Sequence, residues 1–299
     1  MSLTKNWLIL GGSGQLGSNL NLELRKRGIV PTIFSSRDLD IRDFDKTFQV
    51  IRDLGPDFIV NCAAWTNVRT AEFHEKEAEI LNGGAVANIG LAVQDSGGTL
   101  IHVSTDYVFS GQKSLPYEIT DEMDPINAYG RTKAIGEKLL AEVELERCYV
   151  MRTAWLYGLN GKNFIKTILG KYISGEARIE IVDDQFGNPT SSLDLSKQLI
   201  DAAELNIPYG TYHAVNTGVT SWFGLAYKAF EMLKLDTEKL FAIPTPESAQ
   251  FTRPQNSSLN TGKWAEHGIQ EMRPWEDALG FVINDMFTRV QAEGTTRLE

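Results

Sequence analysis

Residues 7–17, Trp-Leu-Ile-Leu-Gly-Gly-Ser-Gly-Gln-Leu-Gly, constrain the rest of the chain more than any other stretch. Four apolar residues of strand character end abruptly in glycines, and helical spacing starts at once over 15–27. The glycines at 11, 14 and 17 are spaced G-x-x-G-x-x-G. Each has a task in a strand–turn–helix unit. Gly11 lets the chain turn sharply, Gly14 lets backbone approach a diphosphate with no side chain in the way, and Gly17 lets the helix lie close on the sheet. Free N–H groups and the positive end of the helix dipole then face phosphate. Glycine-rich turns are common, so the pattern gains weight only if alternating strands and helices and a reactive site follow.

Both follow. Strands are expected over 29–34, 58–62, 99–104 and 147–153, and helices over 44–54 and 78–95. These strands are apolar and nearly unalternating, which indicates a parallel sheet covered on both faces. Asp124-Pro125-Ile126-Asn127 reads as a helix start, with Pro125 suited to the first turn and Asn127 to the cap. Beyond 153 the alternation fades. Helices are expected over 163–174, 192–205 and 221–233, strands over 179–182 and 211–215, a proline-rich loop over 243–254, and a last amphipathic helix from Pro274. The expected fold class is α/β: a Rossmann-type doubly wound parallel sheet with a smaller α/β substrate-binding domain. The first comprises 1–155 with a returning segment near 178–205, the second 156–177 and 206–299.

The 299 residues suffice for a substantial core, and 42% hydrophobic with 23% charged residues is an ordinary globular balance. A net charge of −10 argues against a general nucleic-acid or anionic-membrane binder, because no basic surplus exists to neutralise phosphates. An anionic small ligand stays open, since local donors decide that. Cys62 and Cys148 fall in expected buried strands and read as core thiols of a reducing cytosol. The first apolar run is too short to span a bilayer and no basic leader precedes it, so a cytoplasmic protein is expected. Four scattered histidines make no metal site, and none is expected.

Ser35-Ser36-Arg37 follows the second strand, where the adenosine ribose of a dinucleotide lies. An acid there repels a 2′-phosphate, whereas two serines and an arginine accept one, a lean toward NADP; Arg37 reads equally as a solvated loop residue. Small residues in Asn61-Cys62-Ala63-Ala64-Trp65-Thr66 suit close approach of a cofactor or simple tight packing. His102, inside the fourth strand, reads as a core residue. Ser104 and Thr105 end that strand, at the edge where ligands bind in such sheets. Tyr129 and Lys133 are four apart, hence on one helical face. A free tyrosine titrates near ~10, and a nearby ammonium favours the phenolate. Tyr129 is then a general acid toward a ketone oxygen as hydride reaches its carbon, and the Thr105 hydroxyl stabilises developing charge. A Tyr-x-x-x-Lys pair alone is commonplace; its order after a glycine turn, four βα lengths and a hydroxyl pair is what points to a reductase.

Together these features resemble the dTDP-4-dehydrorhamnose reductase family of the extended short-chain dehydrogenase/reductase superfamily. The glycine turn and Tyr129-Gly130-Arg131-Thr132-Lys133 are shared by the superfamily. More specific are Ser104-Thr105-Asp106-Tyr107-Val108-Phe109-Ser110-Gly111, Arg152-Thr153-Ala154-Trp155-Leu156-Tyr157, Asp184-Gln185-Phe186-Gly187-Asn188-Pro189-Thr190 and Arg253-Pro254-Gln255-Asn256. The resemblance implies Tyr129 as proton donor, Lys133 as its partner and Thr105 as the hydroxyl tuning the pair. Gly14, Gln15 and Leu16 would meet the diphosphate, and Asp40 and Ile41 would flank the adenine. Ala64, Trp65 and Thr66 would line the cofactor, and Gly11, Arg37, Ala63, Asn82 and Val103 complete the expected cofactor set. Asp106, Tyr107 and Trp155 would contact the sugar, and Arg253 the nucleotide diphosphate. The implied reaction is NADPH-dependent reduction of a dTDP-4-keto-deoxysugar, with NADH as an alternative cofactor and a homodimer as a possible assembly. Two stretches depart from the family pattern. Asn67-Val68-Arg69-Thr70-Ala71-Glu72 stands where Ala-Val-Asp-Lys-Ala-Glu is common, and Ser248-Ala249-Gln250-Phe251-Thr252 replaces a proline-rich entry. Both put the identity of the sugar in question. Rival readings are a reductase of another keto sugar, a non-catalytic regulatory subunit of methionine adenosyltransferase, and an epimerase or dehydratase on the same scaffold.

Overall fold

The computed structural model describes residues 5–246 and 252–295. Strands β1 (Trp7–Leu10), β2 (Thr32–Phe34), β3 (Phe58–Asn61), β4 (Thr99–Thr105) and β5 (Cys148–Thr153) join the strand Gly210–His213 in one six-stranded sheet. Its order is β2-β1-β3-β4-β5 followed by Gly210–His213, and every pairing is parallel. The period of two in a strand explains why the apolar runs do not alternate. Trp7 and Ile9 of β1 face one core with Phe58, Val60 and Ile101. Leu8 and Leu10 face the other with Ile59 and Leu100. Helices α1 (Gln15–Lys26) and Ser192–Glu204 cover the first face through Leu20, Leu24, Leu195 and Leu199. Helices α2 (Phe44–Leu54) and Ala85–Ser96 cover the second through Ile51, Val86 and Ile89.

The expected helix over 78–95 is interrupted: Glu75–Glu79 is α-helical, Ile80–Gly84 widens into a π turn, and Ala85–Ser96 resumes the α geometry. The helix carrying Tyr129 spans Ala128–Glu142; Asn127 caps it, accepting from Gly130 N at 2.8 Å. Pro125 therefore precedes the cap instead of lying in the first turn.

A second core gathers Ile165, Leu169, Ile179, Ile181, Leu225, Phe230, Leu279 and Met286. Its helices are Phe164–Ile173, Trp222–Leu233 and Trp275–Thr295, around a parallel pair of strands, Ile179–Val182 and Leu240–Ile243. Two short stretches differ from the sequence division. The strand Ile179–Val182, expected to return to the cofactor portion, packs in this second core. Gly210–His213, expected in the substrate portion, is the sixth strand of the main sheet. Tyr212 buried in the first core draws it there. No helix among the described residues is long and apolar enough to cross a membrane. Residues 248–251 of the departing stretch lie outside the described residues; Thr252 O accepts from Asn127 Nδ2 at 3.1 Å.

Candidate active site

A cleft of about 1030 Å³ opens at the carboxyl ends of the strands, walled by the sheet on one side and by the second core on the other. The glycine turn lies at its floor. Gly11 has φ +78°, and a Cβ there would stand 2.7 Å from Ala63 N; a Cβ on Gly17 would stand 2.5 Å from Gly11 O. Only a bare backbone permits both approaches. Gly14 precedes α1 without a side-chain cap, and the first turn of α1 carries no acid. The helix N-terminus at Gly14, Gln15 and Leu16 thus offers N–H groups and positive potential to the cleft, a fit to a dinucleotide diphosphate.

Ser36, Leu39, Asp40 and Ile41 continue the wall, and Arg37 is exposed outside it. Asp38 closes the turn by accepting from Ser35 N and Oγ at 2.8 and 2.6 Å. Asp40 pairs with Arg42 at 2.5 Å, which holds its carboxyl below the usual carboxylate range. Ala63, Ala64 and Thr66 line the cleft. Trp65 and Asn82, both expected to touch the cofactor, stand behind that wall. Trp65 N donates to Asn82 Oδ1 at 2.8 Å, and Asn82 Nδ2 donates to Trp65 O at 3.2 Å and Thr132 Oγ1 at 3.0 Å. Asn82 is fully buried, so its amide shapes the loop instead of meeting a ligand. Thr70, in the departing stretch, accepts from the Trp65 indole at 3.0 Å and supports the same loop.

Thr105, Tyr129 and Lys133 converge on the cleft with Val103, Asp106 and Tyr107. Thr105 Oγ1 donates to Asp106 Oδ1 at 2.9 Å and accepts from Tyr107 N at 3.2 Å. The Tyr107 and Tyr129 rings meet edge to face, centroids 5.8 Å apart. Sequence reasoning assigned Lys133 the task of lowering the Tyr129 pKa. The structure corrects this: burial pushes the phenol up to about 12, with a Thr105 hydrogen bond pulling down and the Asp106 charge adding to the rise. Lys133 Nζ donates to Val103 O at 2.7 Å and meets His102 Nε2 at 3.2 Å. Burial itself lowers Lys133 to about 8. At neutral pH the phenol therefore holds its proton, the form an acid catalyst needs. Burial also raises Asp106 to about 7, against hydrogen bonds from Ser257 and Thr105.

Glu137, one turn beyond Lys133, is buried beneath the site. Arg152 donates to it from Nε at 3.1 Å and Nη2 at 2.7 Å, and Ser104 Oγ donates at 2.5 Å. This ties the Tyr129 helix to the ends of β4 and β5.

Trp155 lies in the opposite wall in a left-handed conformation, φ +44°, a strained geometry for a bulky residue. Its ring stacks on Trp222, centroids 3.6 Å apart and planes within 3°. Arg253 completes the wall, and its charge opposes the rise that burial causes at Tyr107. The Asp184-to-Thr190 motif is joinery. Asp184 accepts from Thr245 N and Oγ1 at 2.8 and 2.6 Å, Phe186 N donates to Gln255 O at 2.7 Å, and Asn188 Oδ1 accepts from Leu259 N at 2.8 Å. It braces the segment that carries Arg253. Lys162, Phe164, Glu180, Val182 and Trp222 also line the cleft. Sequence reasoning missed them, because no local pattern marks residues that a second core delivers from separate elements. Cys62 and Cys148 are free thiols, each pushed up to about 12 by burial. Among the described residues no group of three or more His, Cys, Asp or Glu is placed to hold a metal ion.

A doubly wound parallel sheet, a glycine turn at a helix N-terminus and a hydroxyl–tyrosine–lysine set at the carboxyl edge define a Rossmann-type NAD(P)-dependent oxidoreductase. The model of the RmlD substrate binding domain matches residues 5–288. The chain is 37% identical over 278 residues to a dTDP-4-dehydrorhamnose reductase of Streptomyces griseus, covering 91% of each chain. It is 36% identical to a dTDP-4-keto-6-deoxy-D-glucose reductase of Streptomyces niveus, covering 93% of this chain and 96% of that one. A crystal structure of dTDP-4-dehydrorhamnose reductase from Bacillus anthracis in complex with NADP superposes with a TM-score of 0.89 at 32% identity, covering 95% and 99% of the two chains. The chain belongs to the RmlD family of dTDP-4-dehydrorhamnose reductases.

Proposed function

We propose that this protein reduces the 4-keto group of dTDP-4-dehydro-6-deoxy-L-mannose with NADPH, giving dTDP-L-rhamnose. The observation that carries the reading is the meeting of Thr105, Tyr129 and Lys133 in the same cleft as the glycine turn. NADPH, when bound, supplies the hydride; the relative crystallised with NADP supports that cofactor. The chain's own residues do the rest. The N–H groups at Gly14, Gln15 and Leu16 receive the diphosphate, with Gly11 and Ala63 forming the turn beneath it. Asp40 and Ile41 flank the adenine, and Ala64, Thr66 and Val103 line the nicotinamide half. Tyr129 gives its phenolic proton to the C4 oxygen, and the Thr105 hydroxyl turns from Asp106 to donate to the phenolate left behind. Lys133 presents an N–H to the nicotinamide ribose. Asp106, Tyr107 and Trp155 hold the sugar, and the Arg253 guanidinium suits its diphosphate. In this reading the six-stranded sheet is the cofactor domain and the second core the substrate domain. The protein works in the cytoplasm; sedimentation tests the expected homodimer.

A second reading, reduction of another dTDP-4-keto-6-deoxysugar, is favoured by the Streptomyces niveus relative and by the altered 67–72 stretch. Product analysis with a panel of dTDP-keto sugars separates the two. The complete Thr105, Tyr129 and Lys133 set weighs against a non-catalytic regulatory subunit. Tyr129→Phe is expected to lower kcat by roughly 10²–10⁴-fold, the range of a lost general acid. Wild-type turnover in that variant would sink the proposed role.

A further inference from the structure

The segment 158–163 runs from the short strand Leu156–Tyr157 to the helix Phe164–Ile173 of the second core, and it docks on the first turn of α1. The polarity of that contact can be read from one end. Asn163 caps the helix Phe164–Ile173, its Oδ1 accepting from Lys166 N at 3.0 Å. A backbone N–H only donates, so this bond fixes the amide and leaves Nδ2 as the donor. Nδ2 donates to Gly158 O at 2.9 Å and to Gln15 Oε1 at 3.1 Å. With Oε1 accepting, Gln15 Nε2 donates to Lys162 O at 3.3 Å. Gly161 makes the approach possible: its φ is +70°, and a Cβ on it would stand 2.8 Å from Gln15 Cγ and 4.0 Å from Gln15 N. The loop therefore lies against the N–H that the glycine turn offers to a diphosphate. A second tie, Arg289 Nη1 to Asn160 Oδ1 at 3.2 Å, holds the loop from the last helix.

We propose that Lys162 is the cation for the diphosphate of the bound dinucleotide, placed over the glycine turn by the Gln15–Asn163 clasp. The proposal rests on the reading of that turn as the NADPH site. Charge accounting singles Lys162 out. The stretch 11–17 holds no basic residue, so the turn itself supplies N–H groups and a helix dipole but no full charge. Lys133, Lys162 and Arg253 are the basic residues that line the cleft. Lys133 Nζ is held by Val103 O at 2.7 Å, beside Tyr129. Arg253 acts on Tyr107, at the sugar end. Lys162 is the one joined to the glycine turn, through its own carbonyl. Its neighbour Lys166 is occupied, Nζ donating to Leu159 O at 2.6 Å. Among the described residues no carboxylate pairs with Lys162, which is exposed and lines the cleft. An ammonium on a flexible four-carbon stem serves a diphosphate as a point charge. The second core thus contributes to cofactor binding as well as to the sugar site.

The test measures equilibrium binding to the full chain at low ionic strength, without sugar: NADPH and NADH by fluorescence titration, and dTDP by calorimetry. Lys162→Met keeps the stem and removes the charge. It is expected to raise the Kd of NADPH and of NADH by the same factor, about 5–10-fold, because both carry the diphosphate and the contact is partly screened by solvent. The Kd of dTDP should stay within about twofold, and Lys162→Arg should restore dinucleotide binding. Gln15→Leu cuts the clasp and keeps the backbone N–H. It should weaken both dinucleotides in the wild type and add little in the Lys162→Met background. Unchanged dinucleotide binding in Lys162→Met overturns the proposal. A loss confined to NADPH also overturns it, since Lys162 would then meet the 2′-phosphate. So does a loss of dTDP affinity as large as that of the dinucleotides, which would assign Lys162 to the substrate's diphosphate. Fully additive effects of Gln15→Leu and Lys162→Met overturn the clasp that the proposal requires. The expected binding shifts in a protein that does not reduce the keto sugar would leave this proposal standing and overturn the proposed function.

Discussion

Asp106 provides a sensitive test of the site's electrostatics. Its carboxyl is 2% exposed, Oδ1 accepts from Thr105, and burial raises its pKa from 3.8 to about 7. A carboxyl raised on folding stabilises the protein fully below its unfolded value, and that contribution is lost as pH rises through the folded value. The window is therefore about pH 4 to 7. With full burial no solvent discount applies, and the linkage relation gives a cost of about 4 kcal/mol at pH 8 but only about 1.5–2 kcal/mol at pH 5. Asp106→Asn keeps the size and the acceptor for Thr105 while removing the titration. Any penalty for its new amide N–H is independent of pH. Urea unfolding of the cofactor-free protein at pH 5, 6, 7 and 8 should show the variant gaining about 2–3 kcal/mol on the wild type across that range. A difference that stays flat with pH, or shrinks as pH rises, would refute the claim that burial governs this group. The same carboxyl touches Thr105, so the kcat–pH profile should lose a component near neutrality in the variant.

The remaining predictions concern the scaffold around Tyr129. Thr105→Val deletes the hydroxyl that bonds the phenol and is expected to cost about 10²–10³-fold in kcat, in the range of a lost charge-stabilising donor, while Thr105→Ser keeps most activity; steady-state kinetics decide. Gly17→Ala sets a Cβ 2.5 Å from Gly11 O, backbone that cannot move aside without displacing the turn, so the KM for NADPH should rise far more than kcat falls. Arg152→Met strands the Glu137 carboxylate with Ser104 alone and should cost about 3–5 kcal/mol, or roughly 5–8 °C in Tm. Adding Glu137→Leu should recover most of that loss in calorimetry; a double variant no more stable than the single one would argue against a desolvated pair.

The local rules were legible in the chain because they act between near neighbours. Residues 7–10 had to be a strand buried on both faces, since no polar residue interrupts them, and the helix Phe44–Leu54 and strand Ile179–Val182 appeared at their expected bounds. Gly11 had to be glycine because its φ of +78° and its approach to Ala63 exclude a side chain. Tyr129 and Lys133 had to share a face because a helix brings residues four apart together. Tertiary structure alone decided the rest. Asn82 was withdrawn from the cleft because its amide is consumed by Trp65 and Thr132, 17 and 50 residues away in sequence. The direction of the Tyr129 shift reversed because burial, which spacing does not reveal, outweighs any effect of a lysine whose Nζ is held by Val103 and His102. The far wall, with Trp222 stacked on Trp155 and with Phe164 and Glu180 both lining the cleft, exists only because separate elements pack into a second core around it. Sequence determines what each turn and helix face presents; packing determines which of those groups meet, and in how little water.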